Sequence, residues 1–173
     1  PNTFNILKST IKFNNIEKIV CPVQQAVSDK KGTAIFNISK VDIDAANSLS
    51  TTSRTQSVSG IEVNITSVDE FVKDRSLGKI NFLKIDAEGA EYFVLKGAQN
   101  TIETYKPAIM LALHPVSLIS FNSSLKKIFD FIQKINYTIL YKFKDMNEDV
   151  FINNNKLFDV HLIPANKYVD QKI

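Results

Sequence analysis

The run AIMLAL (Ala108–Leu113) constrains the fold most, because six consecutive apolar residues of strand length indicate a β-strand buried on both faces. The segment KINFLKI (79–85) before it also has the pattern of a buried strand, and a helical pattern lies between the two. A second helix (125–135), capped by Ser123 or Ser124, precedes another strand. Strand-helix-strand-helix-strand order implies parallel strands with packed helices, so the sequence predicts an α/β layer fold.

The N-terminal part predicts a helix followed by a hairpin. Asn2 or Thr3 can cap the helix, after which apolar residues recur on one face. Segment 17–28 reads as a strand, DKKG (29–32) as a turn and segment 33–39 as a second strand. Two such runs separated by a short polar turn favour an antiparallel hairpin.

A polar stretch rich in Ser and Thr (47–60) has no periodicity. It predicts a mobile surface loop, a candidate lid and a source of variation in substrate binding. After it, segment 61–72 begins as an alternating strand, and Ser67 or Asp69 can cap a short helix that ends near Arg75.

Two strands close the chain, at 137–143 and 157–165, with a polar loop (144–155) between them. Because no helix joins them, we expect an antiparallel hairpin at one edge of the sheet.

Bulk composition excludes several classes of function. The chain has 173 residues, enough for one domain with a real core, and its net charge of +3 comes from scattered Lys residues, which does not favour nucleic acid as a partner. Cys21 lies in an apolar run, where we expect it to be buried; as the one cysteine, it excludes an internal disulfide and a Cys-based zinc site. No apolar run approaches the roughly 18 residues of a membrane span. We therefore expect a cytoplasmic protein without a membrane partner.

Three acidic residues, Asp86, Glu88 and Glu91, follow the strand at 79–85. Ligands of parallel sheets bind outside the carboxyl ends of the strands, and Asp86 lies at such an end, so we assign it a function. Glu88 and Glu91 lie in the first turn of the next helix, where the helix dipole favours acids; we interpret them first as helix-start residues. Gly89 permits a tight turn or the close approach of a ligand.

His114 ends the next strand, so it lies on the same rim as Asp86 if the two strands are parallel neighbours. The pair could deprotonate a hydroxyl or hold a metal, whereas a lone His can also be a hydrogen-bonded structural residue. We interpret His161, inside the last strand, as structural. The G-x-G, P-loop and G-x-S-x-G motifs are absent from the sequence, which removes support for hydrolase and kinase functions.

The segment NFLKIDAEGAEYFVLKGAQNTIETYKPAIMLALHP (81–115) resembles the signature of FkbM-type methyltransferases. Those enzymes show a Lys-Ile-Asp-x-Glu-Gly-x-Glu core, then Val-Leu-x-Gly-Ala, then an apolar strand that begins with Pro. The matching residues are Lys84, Ile85, Asp86, Glu88, Gly89, Ala90, Glu91, Val94, Leu95, Lys96, Gly97, Ala98 and Pro107. The resemblance is strong over about 79–115 and looser over the rest of the chain.

The resemblance implies a Rossmann-like class I fold with sheet order 3-2-1-4-5-7-6 and S-adenosyl-L-methionine as cofactor. It implies methyl transfer to the hydroxyl of a small-molecule or glycan acceptor, such as a sugar or secondary metabolite. On that basis we expect Asp86 and His114 to be catalytic and Gln25, Ala26, Asp86 and Glu88 to bind the cofactor. No resident metal is expected.

Two departures from the family pattern qualify this prediction. The Gly-rich loop after strand one and the acid that ends strand two should precede Pro1, so residues 1–173 are expected to be a partial methyltransferase domain, a C-terminal fragment without the first two strands. Second, the family often has Glu where this chain has Ala112. These departures favour an alternative, a non-catalytic α/β interaction module or inactive remnant. A metal-dependent enzyme that uses Asp86, Glu88 and His114 is the third hypothesis.

Overall fold

The structure, a computed structural model, describes residues 2–39 and 57–169. Its helices are α1 (Asn2–Phe13), α2 (Val68–Asp74), α3 (Glu91–Lys96), α4 (Gln99–Tyr105), α5 (Pro115–Leu118), α6 (Leu125–Lys134), α7 (Glu148–Ile152) and α8 (Ala165–Val169), with a 3₁₀ turn at Ile119–Phe121. Its strands are β1 (Ala26–Val27), β2 (Gly32–Ser39), β3 (Ser57–Thr66), β4 (Phe82–Ile85), β5 (Ala108–Leu113), β6 (Tyr137–Tyr141), β7 (Lys144–Asp145) and β8 (Phe158–Pro164).

The chain forms two compact units, one of Pro1–Ala26 with Gly32–Ile65 and the other of Val27–Lys31 with Thr66–Ile173. Together the described elements form an α/β protein with mixed sheets, as the sequence predicts. No helix in the described ranges has the length and apolar character required to cross a membrane.

The first unit confirms the N-terminal helix but not the predicted hairpin. β2 pairs with β3, antiparallel from Gly32↔Ile65 onward, and the three-stranded sheet has the order β1-β3-β2. The segment 17–28 is mostly not a strand, because its first residues form a turn in which Ile19 and Val20 donate to the carbonyl of Ile16. Pro22 further on has no N–H for a ladder.

Two further expectations for this part of the chain change. Cys21 is exposed rather than buried. The predicted polar loop at 47–60 ends earlier than expected, since residues 57–60 already belong to β3; the rest of that loop and its proposed role as a lid lie outside the described residues.

The second unit contains a five-stranded sheet with the order β4-β5-β8-β6-β7. β4 and β5 are parallel neighbours, as predicted, and the other pairs are antiparallel. The C-terminal strands do pair with each other, but β8 lies between β5 and β6 and is not at an edge. The segment 144–155 is not simply a polar loop, because it contains β7 and α7, whose first turn is capped by Asn147.

The core of the second unit packs helices against one face of this sheet. Its fully buried members include Leu95, Ile102, Leu111, Ile128 and Val160. β4 contributes less than predicted, since Ile85 is its buried residue while Phe82 is 55% exposed. A strand at the edge of the described sheet has fewer neighbours to cover it.

The predicted single helix after β4 is two helices, α3 and α4, separated at Gly97 and Ala98. A side chain at Gly97 would place its Cβ 2.2 Å from the carbonyl oxygen of Ser28, so the break occurs where the backbone is closely packed. Asp69 of α2 supplies the missing N-terminal acceptor for α4, at 2.7 Å from the amide nitrogen of Thr101.

The predicted caps of α2 and α6 are confirmed, whereas Asn2 and Thr3, proposed to cap the N-terminal helix, both lie within α1. The Ser67 hydroxyl accepts from the amide of Glu70 at the start of α2, and the Ser124 hydroxyl accepts from the amide of Lys127 at the start of α6. These hydrogen bonds join residues three apart in sequence, which is why a local pattern was sufficient to predict them.

Candidate functional site

The parallel pairing of β4 and β5 places Asp86 and His114 at the same edge of the sheet. Ile85 is the register partner of Leu111, Asp86 directly follows β4 and His114 directly follows β5. The shared rim that the sequence predicts is therefore confirmed, and its residues all belong to the second unit.

A tight turn between β4 and α3 directs the other two acids toward this rim. Glu88 and Gly89 both have positive φ, +47° and +107°. A Cβ at Gly89 would lie 2.7 Å from the carbonyl oxygen of Ser117, so both the backbone conformation and the space require glycine there. Glu88 adopts its left-handed conformation without that freedom, which indicates that the surrounding contacts hold the turn.

Glu91 and His114 form a buried hydrogen-bonded pair. Oε1 of Glu91 lies 2.7 Å from Nδ1 of His114 and accepts the amide N–H of Gly89 at 2.9 Å. Glu91 is fully buried, and its Oε2 has no hydrogen-bond partner within the described part of the chain. Because a carboxylate only accepts, Nδ1 of His114 carries the proton, and Nε2 of the neutral ring is left with a lone pair.

The Nε2 side of His114 faces the other two acids. Nε2 lies 3.4 Å from Oε1 of Glu88 and 3.7 Å from Oδ1 of Asp86, while Oδ2 of Asp86 pairs with Lys84 at 2.8 Å. The hydrogen bond with Glu91 raises the pKa of His114 above 6.5, burial opposes this, and the charges of Glu91, Glu88 and Asp86 raise the pKa further. The site thus favours the protonated imidazolium form of His114, in which Nε2 carries a proton in addition to Nδ1.

The structure brings together three of the residues proposed from the sequence, Asp86, Glu88 and His114. One ligand atom from each lies within 4.8 Å of the others, a spacing that could hold a metal ion. Gln25 and Ala26, the other two expected cofactor residues, belong to the first unit, where Gln25 is exposed and Ala26 begins β1.

Glu91 is the site residue that the sequence reasoning missed. It does begin α3, as its interpretation as a helix-start residue requires, but its carboxyl group contacts His114 and Gly89, and the helix has no side-chain cap at Ala90. A usable signal existed in the glycine two residues earlier, since a turn at Gly89 can bend the chain and return the next acid to the rim.

The two remaining positions singled out in the sequence lie in the sheet. His161, in β8, stacks on Phe143 with 5.6 Å between ring centroids, and its interpretation as structural stays a prediction. Ala112, where the resembling family often has Glu, is buried in β5, and its register partner in β8 is the exposed Asp159.

Comparison with known proteins gives two matches. The family model of the methyltransferase FkbM domain matches residues 1–139. The crystal structure of methyltransferase FkbM from Methylobacillus flagellatus KT has a similar fold, with a TM-score of 0.53 at 14% sequence identity. The alignment covers 91% of this chain and 32% of that one, so this chain spans about a third of its length. No curated protein sequence matches.

Proposed function

Since the chain belongs to the FkbM methyltransferase domain family, we propose that it is part of an S-adenosyl-L-methionine-dependent enzyme that methylates a hydroxyl group of a sugar or secondary metabolite. One observation carries this proposal: the buried Glu91 carboxyl group holds Nδ1 of His114 at 2.7 Å, and Nε2 faces the rim where a parallel sheet binds ligands.

The charge of the rim suits the proposed cofactor. S-Adenosyl-L-methionine supplies an activated methyl group on a cationic sulfur and also carries an ammonium group. Asp86 and Glu88 would hold these cationic groups, because both carboxyl groups reach the solvent-facing side of the cluster while Glu91 does not. Gln25 and Ala26 stay proposed cofactor residues on the strength of the family resemblance.

His114 would accept the proton of the acceptor hydroxyl at Nε2. The hydrogen bond from Nδ1–H to Glu91 keeps the ring in the required tautomer and orientation. The imidazolium that results is stabilised by Glu91, Glu88 and Asp86, which is also why the pKa of His114 is raised. A base of this kind is deprotonated, and therefore active, as the pH rises through its raised pKa.

The strand order supports assignment to the second half of a Rossmann-like sheet. The observed sequence β4-β5-β8-β6 has the same form as the 4-5-7-6 half of the order 3-2-1-4-5-7-6, with an antiparallel strand inserted third. We propose that residues 1–173 are a partial methyltransferase domain and that strands one and two of the complete sheet lie N-terminal to it.

Calorimetry with S-adenosyl-L-methionine tests the proposal on two polypeptides, the 173-residue chain and a version extended upstream along its coding sequence. We expect the extended version to bind and the 173-residue chain to bind weakly or not at all. In the extended version, Asp86→Asn should weaken binding at least about tenfold, or 1.4 kcal/mol. The matched control is Asp130→Asn, since Asp130 is also exposed and paired with a lysine. An extended version that does not bind the cofactor would overturn the proposal.

A metal-dependent enzyme is the second candidate, and the clustering of Asp86, Glu88 and His114 within 4.8 Å is the observation that favours it. A buried carboxyl group on the far nitrogen of a histidine is common behind metal ligands, and Glu91 occupies that position. A metal on Nε2 would prevent His114 from accepting a proton, so the candidates exclude each other. Methyl transfer that survives chelation removes the metal-dependent one.

A further inference from the structure

An open groove of about 550 Å³ is lined by Pro115 and Val116, the two residues that follow His114 in the chain, and by residues of two later segments. The adjacent site holds His114 at the carboxyl edge of β5, and β8 begins at the same edge, since Leu113 is the register partner of Phe158. The groove therefore begins at the residue that follows the proposed proton acceptor in the chain, at the same edge of the sheet.

One wall of the groove is aliphatic and open to solvent. Val116 is 64% exposed and Ile119 is 73% exposed, although both lie in a segment anchored by the buried Leu118. Exposed apolar side chains that line a concavity are a frequent feature of ligand sites. This wall could contact the C–H face of a ligand.

Two serines line the groove where α6 begins, and one of them is exposed. Ser123 is 8% exposed, and its hydroxyl oxygen has no hydrogen-bond partner among the described residues. Because this oxygen is itself inaccessible to solvent, it does not face a ligand in the open groove, and the accessible serine there is Ser124. Ser124 accepts from the amide of Lys127, which leaves its own O–H free to donate.

Two asparagines after α7 present opposite hydrogen-bonding groups. The side-chain amide nitrogen of Asn153 donates to the carbonyl of Asp149 at 2.8 Å, so its amide oxygen is left to accept. The side-chain oxygen of Asn154 accepts from the amide of Lys156 at 3.1 Å, so its amide nitrogen is left to donate. The backbone partners fix both amide orientations, because an N–H can only donate and a carbonyl can only accept.

The groove carries little free charge. Among the described residues that line it there is no Asp or Glu, and the one cation among them, Lys126, pairs with Asp130 and with Glu148, the latter at 3.0 Å. An anionic acceptor would find no free cation here. Neutral donors and acceptors beside an aliphatic wall instead match a ligand whose hydroxyl groups both donate and accept.

We infer that this groove is the acceptor subsite and that it binds a neutral, unmodified sugar, either free or at the end of a glycan. The inference rests on the proposed methyltransferase function for its biological meaning. The sequence pointed to segment 47–60 for acceptor binding. The inferred subsite is instead in the second unit and is formed by α5, the start of α6 and the residues after α7.

Saturation-transfer difference NMR on the 173-residue chain tests this without any cofactor. The probes are methyl β-glucopyranoside, methyl α-mannopyranoside and methyl α-rhamnopyranoside, with glucose 6-phosphate and glucuronate as charged counterparts. We expect at least one neutral glycoside to bind with a dissociation constant of about 1 mM or below, and more tightly than either anion. Absence of binding by all three neutral glycosides, or tighter binding of an anion, overturns the inference.

Matched variants locate the binding. Val116→Asp should weaken it at least about tenfold, since it places a charge on the aliphatic wall, whereas Val150→Asp should leave it unchanged, because Val150 is similarly exposed but does not line the groove. Asn154→Ala should also weaken binding. Equal effects of Val116→Asp and Val150→Asp contradict the assignment. The sugar experiment and the cofactor experiment on the polypeptide extended upstream can succeed or fail independently of each other. The acceptor subsite and the methyltransferase function are therefore tested separately.

Discussion

The two faces of the five-stranded sheet differ in how deeply their side chains are buried. On the face that packs against the helices, Leu111 of β5 and its register partner Val160 of β8 are fully buried. On the opposite face, Met110 and its register partner His161 are partly exposed, and Lys84 of β4 is exposed. Because side chains of a strand alternate between faces, adjacent residues of the same strand belong to these two different environments.

The covered face contributes to stability, whereas the other face leads to residues of the candidate site. The covered face is apolar, and its residues belong to the hydrophobic core of the second unit. The other face carries polar groups, and the alternation through Lys84 continues to Asp86, whose carboxyl group pairs with that lysine. At the end of β4, Ile85 therefore packs in the core while Lys84 and Asp86 point to the opposite side, because successive side chains of a strand point to opposite faces.

The largest effect is expected from Leu111→Ala on the covered face. The fully buried side chain leaves a cavity when truncated, which should lower the free energy of unfolding by about 2–5 kcal/mol. Met110→Ala, one residue away on the other face, should cost no more than about 2 kcal/mol, because water already reaches part of Met110. Urea denaturation followed by far-ultraviolet circular dichroism measures both. Equal losses would show that the two faces do not differ.

Gly97→Ala tests the packing of the helices on the covered face. The φ of Gly97 is −72°, which alanine tolerates, so the effect comes from the Cβ that would lie 2.2 Å from the carbonyl oxygen of Ser28. We expect a loss of about 1–3 kcal/mol in the same denaturation experiment. Gly78→Ala is the control, because no neighbouring atom of the described residues lies within 4 Å of the added Cβ, and it should change stability by less than about 0.5 kcal/mol.

Tyr137→Phe removes the hydrogen bond that the buried phenol of Tyr137 makes with the backbone of Pro107. The phenol donates to the carbonyl of Pro107 at 2.9 Å, so its loss should cost about 0.5–1.5 kcal/mol at neutral pH. Burial raises the pKa of Tyr137 from 10.0 to about 12. The unfolded chain therefore releases this proton first, and the advantage of the wild type over the variant should shrink between pH 10 and about 12. A constant difference over that range contradicts the assignment.

Glu91→Gln, at the rim, is directed at the site rather than at the covered face. Glutamine keeps an acceptor for Nδ1–H of His114 but removes the negative charge, so the pKa of His114 should fall. Its raised pKa stabilises the fold at pH below 6.5, a contribution lost as pH rises through the folded value, and the variant should flatten that dependence. NMR titration of the His114 imidazole protons measures this change. An unchanged His114 titration would exclude the coupling.

The parts of the fold that follow from nearby residues could be predicted from the sequence. The caps at Ser67 and Ser124 join residues three apart, and the parallel pair β4–β5 follows from the order of strands and helices. The placement of Asp86 and His114 on one rim follows in turn, since parallel strands end at the same edge.

The errors concern residues that are distant in sequence. β2 pairs with β3 rather than with segment 17–28, and no local pattern specifies which of two strands will be the partner. The predicted continuous helix after β4 breaks because Gly97 packs against Ser28 and because Asp69 supplies hydrogen bonds to the start of α4. Periodicity continued through this break, since both helices pack on the same core.

Local sequence patterns determined the alternation of side chains along each strand, the starts of α2 and α6 and the residue types that reach the rim. Only the tertiary structure decided that Glu91 faces His114, because that contact requires positive φ at both Glu88 and Gly89. It also decided which face of the sheet the helices cover and that a groove opens along the residues that follow His114. The physical reason is that local patterns reflect the energies of neighbouring residues, whereas the choice among distant contacts depends on packing of the whole unit.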